Sequence, residues 1–388
     1  MLNKKNKDIF SDFVGSFSDC AVLFPLLILL GQKTSFQLPL LFLSAGLMVI
    51  FSGIYYRVPM SVQPLKSIAI AAIAVGATAA EIQISTFFLS IVFFILIYLK
   101  TEKWLQYFSE SWIHALQVAL GVLLILQGFN SVTYVHGDIL LLVFLSAVLI
   151  YLIKKWDWPI LGVLATLALA YSFITGVRWS EVELQPIEFK IGFSEGHLRW
   201  PLIANLLLPQ LVLTMANSVI ATENTCKHYF SKSTDNRVIE TVTKIRLMKT
   251  IAVSNFFSSL LGGLPMCHGS GGVTALYKGG ARDWTSNLYL GCFLLFLTAV
   301  TFFYDVRFLE FPQLIFSVLL IVVGIYHLLL AKSTWQSIEG KFRLLLAVFA
   351  VFLTRNLIVV LAIQLALSFF KMSYFRFYKK SNSQQEVL

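Results

Sequence analysis

Two short interruptions in an otherwise apolar chain constrain its fold more than any other feature. The first is Val58-Pro59-Met60-Ser61-Val62-Gln63-Pro64. The second is Leu264-Pro265-Met266-Cys267-His268-Gly269-Ser270-Gly271-Gly272, and one lies in each half of the 388 residues. Each is a Pro-Met step, then polar or glycine-rich backbone, then a new apolar run. Proline and glycine free backbone N–H and C=O groups, which lipid cannot satisfy, so such segments face protein, water or a ligand. Paired broken segments at corresponding places in two halves point to the substrate site of a transporter.

The rest of the chain is far too apolar for a soluble protein: 57% of residues are hydrophobic, only 13% are charged, and 34 are Phe. A span needs about 20 mostly apolar residues. On that measure the spans fall near 13–30, 37–55, 61–79, 83–99, 112–128, 138–153, 158–176, 201–222, 246–262, 270–281, 285–303, 311–330, 342–355 and 357–371. The last two divide at Thr354-Arg355-Asn356. The expected fold is an all-α integral membrane protein of about 14 spans. A cytoplasmic segment over 1–12 precedes a first repeat over 13–176, an extracytoplasmic loop over 177–200, a second repeat over 201–371 with a basic cytoplasmic loop at 223–245, and a cytoplasmic tail over 372–388.

The net charge is +10. With the N-terminus inside and the spans alternating, most Lys and Arg fall on the inner side, which predicts both termini in the cytoplasm of a plasma or bacterial inner membrane. Basic residues spread over many short loops exclude nucleic-acid binding. No small-residue cleavage site follows a brief apolar core near the start, so the first span reads as retained. Cys20, Cys226, Cys267 and Cys292 lack metal-ligand spacing and read as free thiols. No metal, cofactor or catalytic set is expected; Gly269–Gly272 lacks the strand-then-lysine context of a nucleotide loop.

A faint internal repeat supports the two-half reading. Leu23-Phe24-Pro25-Leu26-Leu27 echoes Leu207-Leu208-Pro209-Gln210-Leu211, and Val58-Pro59-Met60 echoes Leu264-Pro265-Met266. Seven spans separate the two occurrences, an odd number, so the repeats are inverted and the broken segments meet near the midplane. The stretch after Gly269 is too short to cross the bilayer and reads as a half-helix starting inside the membrane. Pro64 stands where the first turn of the other would begin.

A helix N-terminus carries roughly +0.5 charge with unpaired N–H donors and is an anion site. Ser61, Val62 and Gln63 on one side, and Gly269, Ser270, Gly271 and Gly272 on the other, supply such donors; close helix packing is the alternative role of these small residues. Gln210, Thr214, Asn217 and Ser218 share one side of the eighth span and face either a polar ligand or neighbouring helices. Asp19 lies in the first span and reads as a proton or cation site, with a structural pairing to Lys66 as the alternative. Lys66 either adds a positive field to the cavity or snorkels to the surface. Glu223 reads as interfacial, and His268 as a group titrating near neutral pH or a structural ring.

These residues resemble a known family. Val58-Pro59-Met60-Ser61-Val62-Gln63-Pro64-Leu65-Lys66 is similar to its Pro-Met-x-Val-Gln-Pro-Met-Lys motif. Pro209-Gln210-Leu211-Val212-Leu213-Thr214 with Asn217-Ser218-Val219-Ile220-Ala221, and Pro265-Met266-Cys267-His268-Gly269-Ser270-Gly271-Gly272, are similar to two more. Together they resemble the molybdate transporter branch of the sulfate permease superfamily. Ser18-Asp19-Cys20-Ala21 departs from the usual Gly-Asp-Leu-Gly, and Val212 stands where a proline is usual. The resemblance implies two inverted seven-span repeats, a core moving against a gate, no C-terminal regulatory domain, and uptake of molybdate or sulfate. It places Gln63, Lys66 and the Gly269–Gly272 backbone in the substrate region, with Asp19, Gln210, Thr214 and Asn217 beside it.

The function expected is secondary active transport of a tetrahedral oxyanion, coupled to a cation, H⁺ in the first instance, with Asp19 as the acceptor. The partners are the oxyanion, the coupling cation and the bilayer; a homodimer is left open. The rivals are a permease for another anion or a nucleobase on the same architecture, a membrane sensor or scaffold, and a membrane enzyme. The eighth span offers amides and hydroxyls rather than ring-binding carboxylates, which disfavours the nucleobase.

Overall fold

The computed structural model describes residues 4–100, 110–130, 144–148, 192–194, 197–231, 240–303 and 313–369, with residues 151, 155 and 171. The expected spans at 138–153 and 158–176 lie largely outside the described residues, as does most of the loop at 177–200.

The chain begins with α1 (Lys4–Ser16), a 3₁₀ turn (Phe17–Asp19) and α2 (Cys20–Lys33). Between Ile9–Asp19 and Val22–Gly31 the axis bends by 47°. Then come α3 (Leu38–Tyr56), β1 (Gln63–Pro64), α4 (Lys66–Val75), α5 (Ala79–Tyr98) and α6 (Glu110–Asn130). The second half opens with α7 (Trp200–Leu213), a π-helical segment (Thr214–Ala221) and α8 (Thr222–Phe230). It continues with α9 (Lys244–Leu260), β2 (Met266–Cys267), α10 (Ser270–Lys278), α11 (Thr285–Phe303), α12 (Gln313–Leu330), α13 (Ile338–Thr354) and α14 (Leu357–Phe369). Five helices among the described residues are long and apolar enough to cross a membrane.

Local chemistry sets the ends of these helices. Thr78 and Glu81 form a capping box at the start of α5. Thr243 and Ser337 cap α9 and α13 through their hydroxyls. Arg355 takes the left-handed conformation, φ 51°, and closes α13 through its N–H on Val351 O at 2.9 Å. The expected division at Thr354-Arg355-Asn356 is therefore present, and Asn356 Oδ1 accepts from Ile358 N at 2.8 Å to start α14.

The packing carries the inverted repeat. The most extensive helix pairings are α3 with α11, α5 with α9, and α6 with α12. If α3 corresponds to α9 and α5 to α11, one two-fold operation exchanges the first two pairings. Smaller contacts follow the same exchange, with α4 against α7 and α10 against the 3₁₀ turn at Phe17–Asp19.

The two interruptions meet. β1 and β2 form a two-residue antiparallel ladder, with Gln63 opposite Cys267 and Pro64 opposite Met266. Leu65 N donates to Pro265 O at 2.8 Å, extending the contact. Backbone freed in one half is satisfied by backbone freed in the other, which is what a non-helical segment at membrane depth requires.

Several expectations are corrected in detail. Pro64 lies in β1, and its helix begins at Lys66, because the ladder to Met266 holds Pro64 extended. The half-helices are shorter than the spans drawn at 61–79 and 270–281: α4 has 10 residues and α10 has 9. The eighth span runs on as continuous helix to Phe230, 31 residues from Trp200. Glu223, expected at the water interface, is 8% exposed and pairs at 2.7 Å with Lys227 one turn on, whose side chain is 33% exposed.

Candidate functional site

Asp19 lies where α1 turns into α2, buried against the crossing of the two interruptions. Ser61 Oγ donates to its Oδ2, and Gln63 Nε2 donates to its Oδ1. The same carboxylate lies against the first turn of α10. A Cβ built on Gly272 would collide with Ser61 Oγ, Asp19 Oδ2 and Gln63 Nε2, so only glycine lets the helix approach this cluster. A Cβ on Gly269 would stand 2.6 Å from Gln63 Oε1. At Gly271 the outcome is opposite: a Cβ there would meet no atom within 4 Å. The first turn of α10 has N–H groups with no carbonyl one turn back to receive them. At Gly271 that backbone can be approached from outside the helix.

The two half-helix starts are not equivalent. Gln210 Oε1, from α7, accepts from Ser67 N at 2.8 Å and Ile68 N at 3.2 Å, capping α4. Gln210 Nε2 donates in turn to Thr214 Oγ1 at 2.8 Å. The expectation of two open N-termini is therefore corrected: α4 is closed by a side chain from the other repeat, and α10 faces a carboxylate.

The π-helical segment at Thr214–Ala221 widens the eighth span where it passes the crossing, a feature frequent at functional sites. Asn217 Oδ1 accepts from Ser270 Oγ at 2.7 Å, fastening the start of α10. The Ser218 hydroxyl lies against the Cys267 thiol. One side of this span thus seats both interruptions.

His268 is fully buried, and both ring nitrogens are engaged. Nδ1 meets the Ser61 carbonyl at 3.0 Å and Nε2 meets Thr250 Oγ1 at 2.9 Å. The carbonyl can only accept, so Nδ1 carries the proton. Thr250 Oγ1 is also 2.6 Å from the Tyr56 hydroxyl. His268 therefore positions the Ser61 segment from behind and does not face the first turn of α10.

Lys66 is the first residue of α4. Among the described residues its ammonium makes no ion pair or side-chain hydrogen bond, and Asp19 is spoken for by Ser61 and Gln63. It lines a narrow cleft of about 10 Å³ with Val22, Pro25, Leu26 and Ile70 on one side and Leu124, Leu320 and Val323 of α6 and α12 on the other. It does not pair with Asp19, and it is partly exposed. An ammonium among apolar side chains with no fixed counter-charge favours an anion beside it.

With the geometry in view, comparison with known proteins is informative. A family model described as "Molybdate transporter of MFS superfamily" matches residues 11–124 and 203–326, more than half of the chain. The chain belongs to the molybdate transporter family. Molybdate transporter 2 of Arabidopsis thaliana is 32% identical over 159 residues, 41% of this chain and 30% of that protein. Molybdate transporter 1 of Chlamydomonas reinhardtii is 32% identical over 201 residues, 49% of this chain and 36% of that protein. The matches thus span about a third of the length of these relatives. Among solved structures, the transmembrane domain of the cyanobacterial bicarbonate transporter BicA superposes with a TM-score of 0.59 at 16% identity, covering 93% of this chain and 98% of that one. SLC26A9 superposes with a TM-score of 0.64 at 13% identity, covering 95% and 66%. At such identities the likeness is one of fold alone; the family match and the five apolar helices long enough to cross a bilayer make this member of the molybdate transporter family a multi-pass membrane protein.

Within this family member, the predicted residues gather as one cluster with divided labour. Ser61, Gln63 and Gly272 surround Asp19; Gln210 and Thr214 cap α4; Asn217 fastens Ser270; Val62 is buried between Ser61 and Gln63. Sequence reasoning missed the two amides that hold the Pro-Met steps. Asn287 Oδ1 accepts from Met60 N at 2.9 Å and its Nδ2 donates to Met60 O at 2.7 Å. Asn255 Oδ1 accepts from Met266 N at 2.8 Å and its Nδ2 donates to Met266 O at 2.6 Å. The signal available was an asparagine inside an apolar span, which membranes tolerate only with a partner.

Proposed function

We propose that this protein is a secondary active transporter for a tetrahedral oxyanion, molybdate or sulfate, coupled to protons. The observation that carries the reading is the placement of the Asp19 carboxylate, held by Ser61 and Gln63, against the first turn of α10. That turn offers N–H donors and a partial positive charge. The backbone at Gly271 is open to approach, and the Lys66 ammonium lies close enough to interact with the charge of Asp19. The anion binds beside α10 and Lys66.

Proton coupling follows from charge. Two unit charges about 5 Å apart in a medium of effective dielectric about 20 repel by about 3 kcal/mol. A dianion beside an ionised Asp19 meets that cost for each of its charges, and protonating Asp19 removes it. Uptake into a negative cell also works against about 2.3 kcal/mol per charge per 100 mV, which a co-transported proton offsets in part.

The moving bodies are a core of α1–α5 and α7–α11 and a gate containing α6 and α12–α14. The cavity beside Lys66 lies on their seam, which suits alternating access by displacement of one against the other. The repeats run over 13–176 and 201–371, and both termini lie in the cytoplasm of a cell membrane, as the distribution of Lys and Arg supports.

Uptake of radiolabelled molybdate into proteoliposomes, with and without an inwardly acidic-to-neutral proton gradient and with sulfate as competitor, tests the reading. Gradient-driven accumulation abolished by sulfate excess or by Gly271→Val is the expected result. Wild-type vesicles that accumulate neither anion under any gradient would overturn it.

A further inference from the structure

Gln63 is 2% exposed, and its two amide atoms are treated differently. Nε2 donates to Asp19 Oδ1, while Oε1 finds no hydrogen-bond partner among the described residues. Both amide atoms lie against the start of α10: a Cβ on Gly269 would lie 2.6 Å from the orphaned oxygen, and one on Gly272 would lie 2.5 Å from Nε2. A buried carbonyl oxygen without a donor is costly and rare. On the reading that the oxyanion is received at the start of α10, this oxygen would set acceptor against acceptor.

We propose that Gln63 is a carboxamide switch that converts the protonation state of Asp19 into affinity for the anion; the inference rests on the reading that the first turn of α10 receives the oxyanion. With Asp19 ionised, its Oδ1 can only accept, so Gln63 must turn Nε2 to it and Oε1 toward α10. A proton from the aqueous side that the site faces, added to Oδ1, makes that atom a donor. It then requires the carbonyl end of Gln63. A half-turn of the carboxamide gives Asp19 O–H to Oε1 and swings Nε2 toward the start of α10, where its N–H groups face the oxyanion. No bond other than the O–H of Asp19 forms, and the charge gained is one proton per anion bound. Release of the proton reverses the turn and sets an acceptor against the anion.

The surroundings suit a switch at this pair. The charged and titratable groups facing Asp19 are Lys66 from α4 and the Cys267 thiol from β2. His268 reaches the pair through the Ser61 carbonyl, and its ring nitrogens are already engaged. Ser61 Oγ stays on Oδ2 in both states, so the carboxyl group is held while the carboxamide turns.

A double-mutant cycle tests the switch apart from simple charge repulsion. Molybdate dissociation constants are measured at alkaline pH on purified full-length protein for wild type, Asp19→Asn, Gln63→Met and the double variant. Removing the Asp19 charge tightens binding in both backgrounds if repulsion is all that matters. The switch adds a further gain, about tenfold, only where Gln63 is present to deliver a donor to the anion. The same gain in both backgrounds overturns the switch and leaves the substrate reading standing. Wild type that binds neither molybdate nor sulfate at any pH overturns the substrate reading, and the switch with it. A readout without substitution covers variants that do not fold: the ¹⁵N resonance of the Gln63 side-chain amide in wild type should shift on acidification and again on adding molybdate. A resonance unmoved by both overturns the switch.

Discussion

The backbone of Met60 is held on both sides by one amide, that of Asn287, which accepts from Met60 N at 2.9 Å and donates to Met60 O at 2.7 Å. Asn287 also donates to Val49 O at 3.1 Å, so it joins α3, α11 and the first interruption. Asn255 does the same for Met266 in the second interruption, from α9. Each Pro-Met step is thereby given the hydrogen bonds that a helix would otherwise supply, at a depth where water is scarce.

Replacing either asparagine by alanine leaves a buried N–H and C=O without partners. Asn287→Ala and Asn255→Ala are each expected to cost about 2–4 kcal/mol of stability. Thermal unfolding of purified protein in detergent checks this, and Asn287→Asp, which keeps the acceptor and loses the donor, should fall between wild type and alanine. Melting temperatures unchanged in all three variants would contradict the clamp.

Gly271 and Gly272 are adjacent and are expected to fail differently. Gly272→Ala forces a methyl group into Asp19, Ser61 and Gln63, so it should lower both stability and molybdate uptake. A methyl group at Gly271 meets no protein atom within 4 Å, so Gly271→Ala should leave the melting temperature unchanged while weakening uptake at least about tenfold by blocking the approach to the helix start. Equal uptake in Gly271→Ala and wild type, at equal expression, would move the substrate elsewhere.

Uptake should fall as pH rises through the titration of Asp19. The ionised carboxylate repels the dianion and the protonated one does not, so the transport-competent form is the one present on the acid side. Asp19→Asn is neutral at every pH and should flatten the dependence, keeping anion exchange while losing proton-driven accumulation. Wild-type and Asp19→Asn profiles of the same shape would remove Asp19 as the proton acceptor.

Fully buried Glu81 accepts from Arg199 Nε and Nη2, each at 2.8 Å, from Arg199 N at 2.9 Å and from Thr78 N at 2.9 Å. Arg199 Nη2 also donates to Gly76 O at 2.8 Å, tying the far end of α4 to the start of α7. The side chain of Arg199 is 47% exposed, which discounts the pair. A double-mutant cycle with Glu81→Gln and Arg199→Gln should give a coupling of about 1–2 kcal/mol, smaller at high salt. A related tie uses Asp12 Oδ1, which accepts from Arg282 N at 2.6 Å and Asp283 N at 3.0 Å.

The apolar spans, the two Pro-Met interruptions and their inverted placement were legible in the sequence, because chain-local properties set them: side-chain hydropathy, the missing N–H of proline, the missing Cβ of glycine. The meeting of the interruptions followed from counting spans. Which polar group meets which was decided only by the tertiary structure. Asp19 went to Ser61 and Gln63 rather than to Lys66, Gln210 closed α4, His268 turned away from α10, and Asn255 and Asn287 took the methionine backbones. In a bilayer lipid tails are as apolar as leucine, so burial does not select one helix face over another. The rotation and register of each helix select its polar partners, and those are set by close packing among segments up to 227 residues apart, as Met60 and Asn287 are.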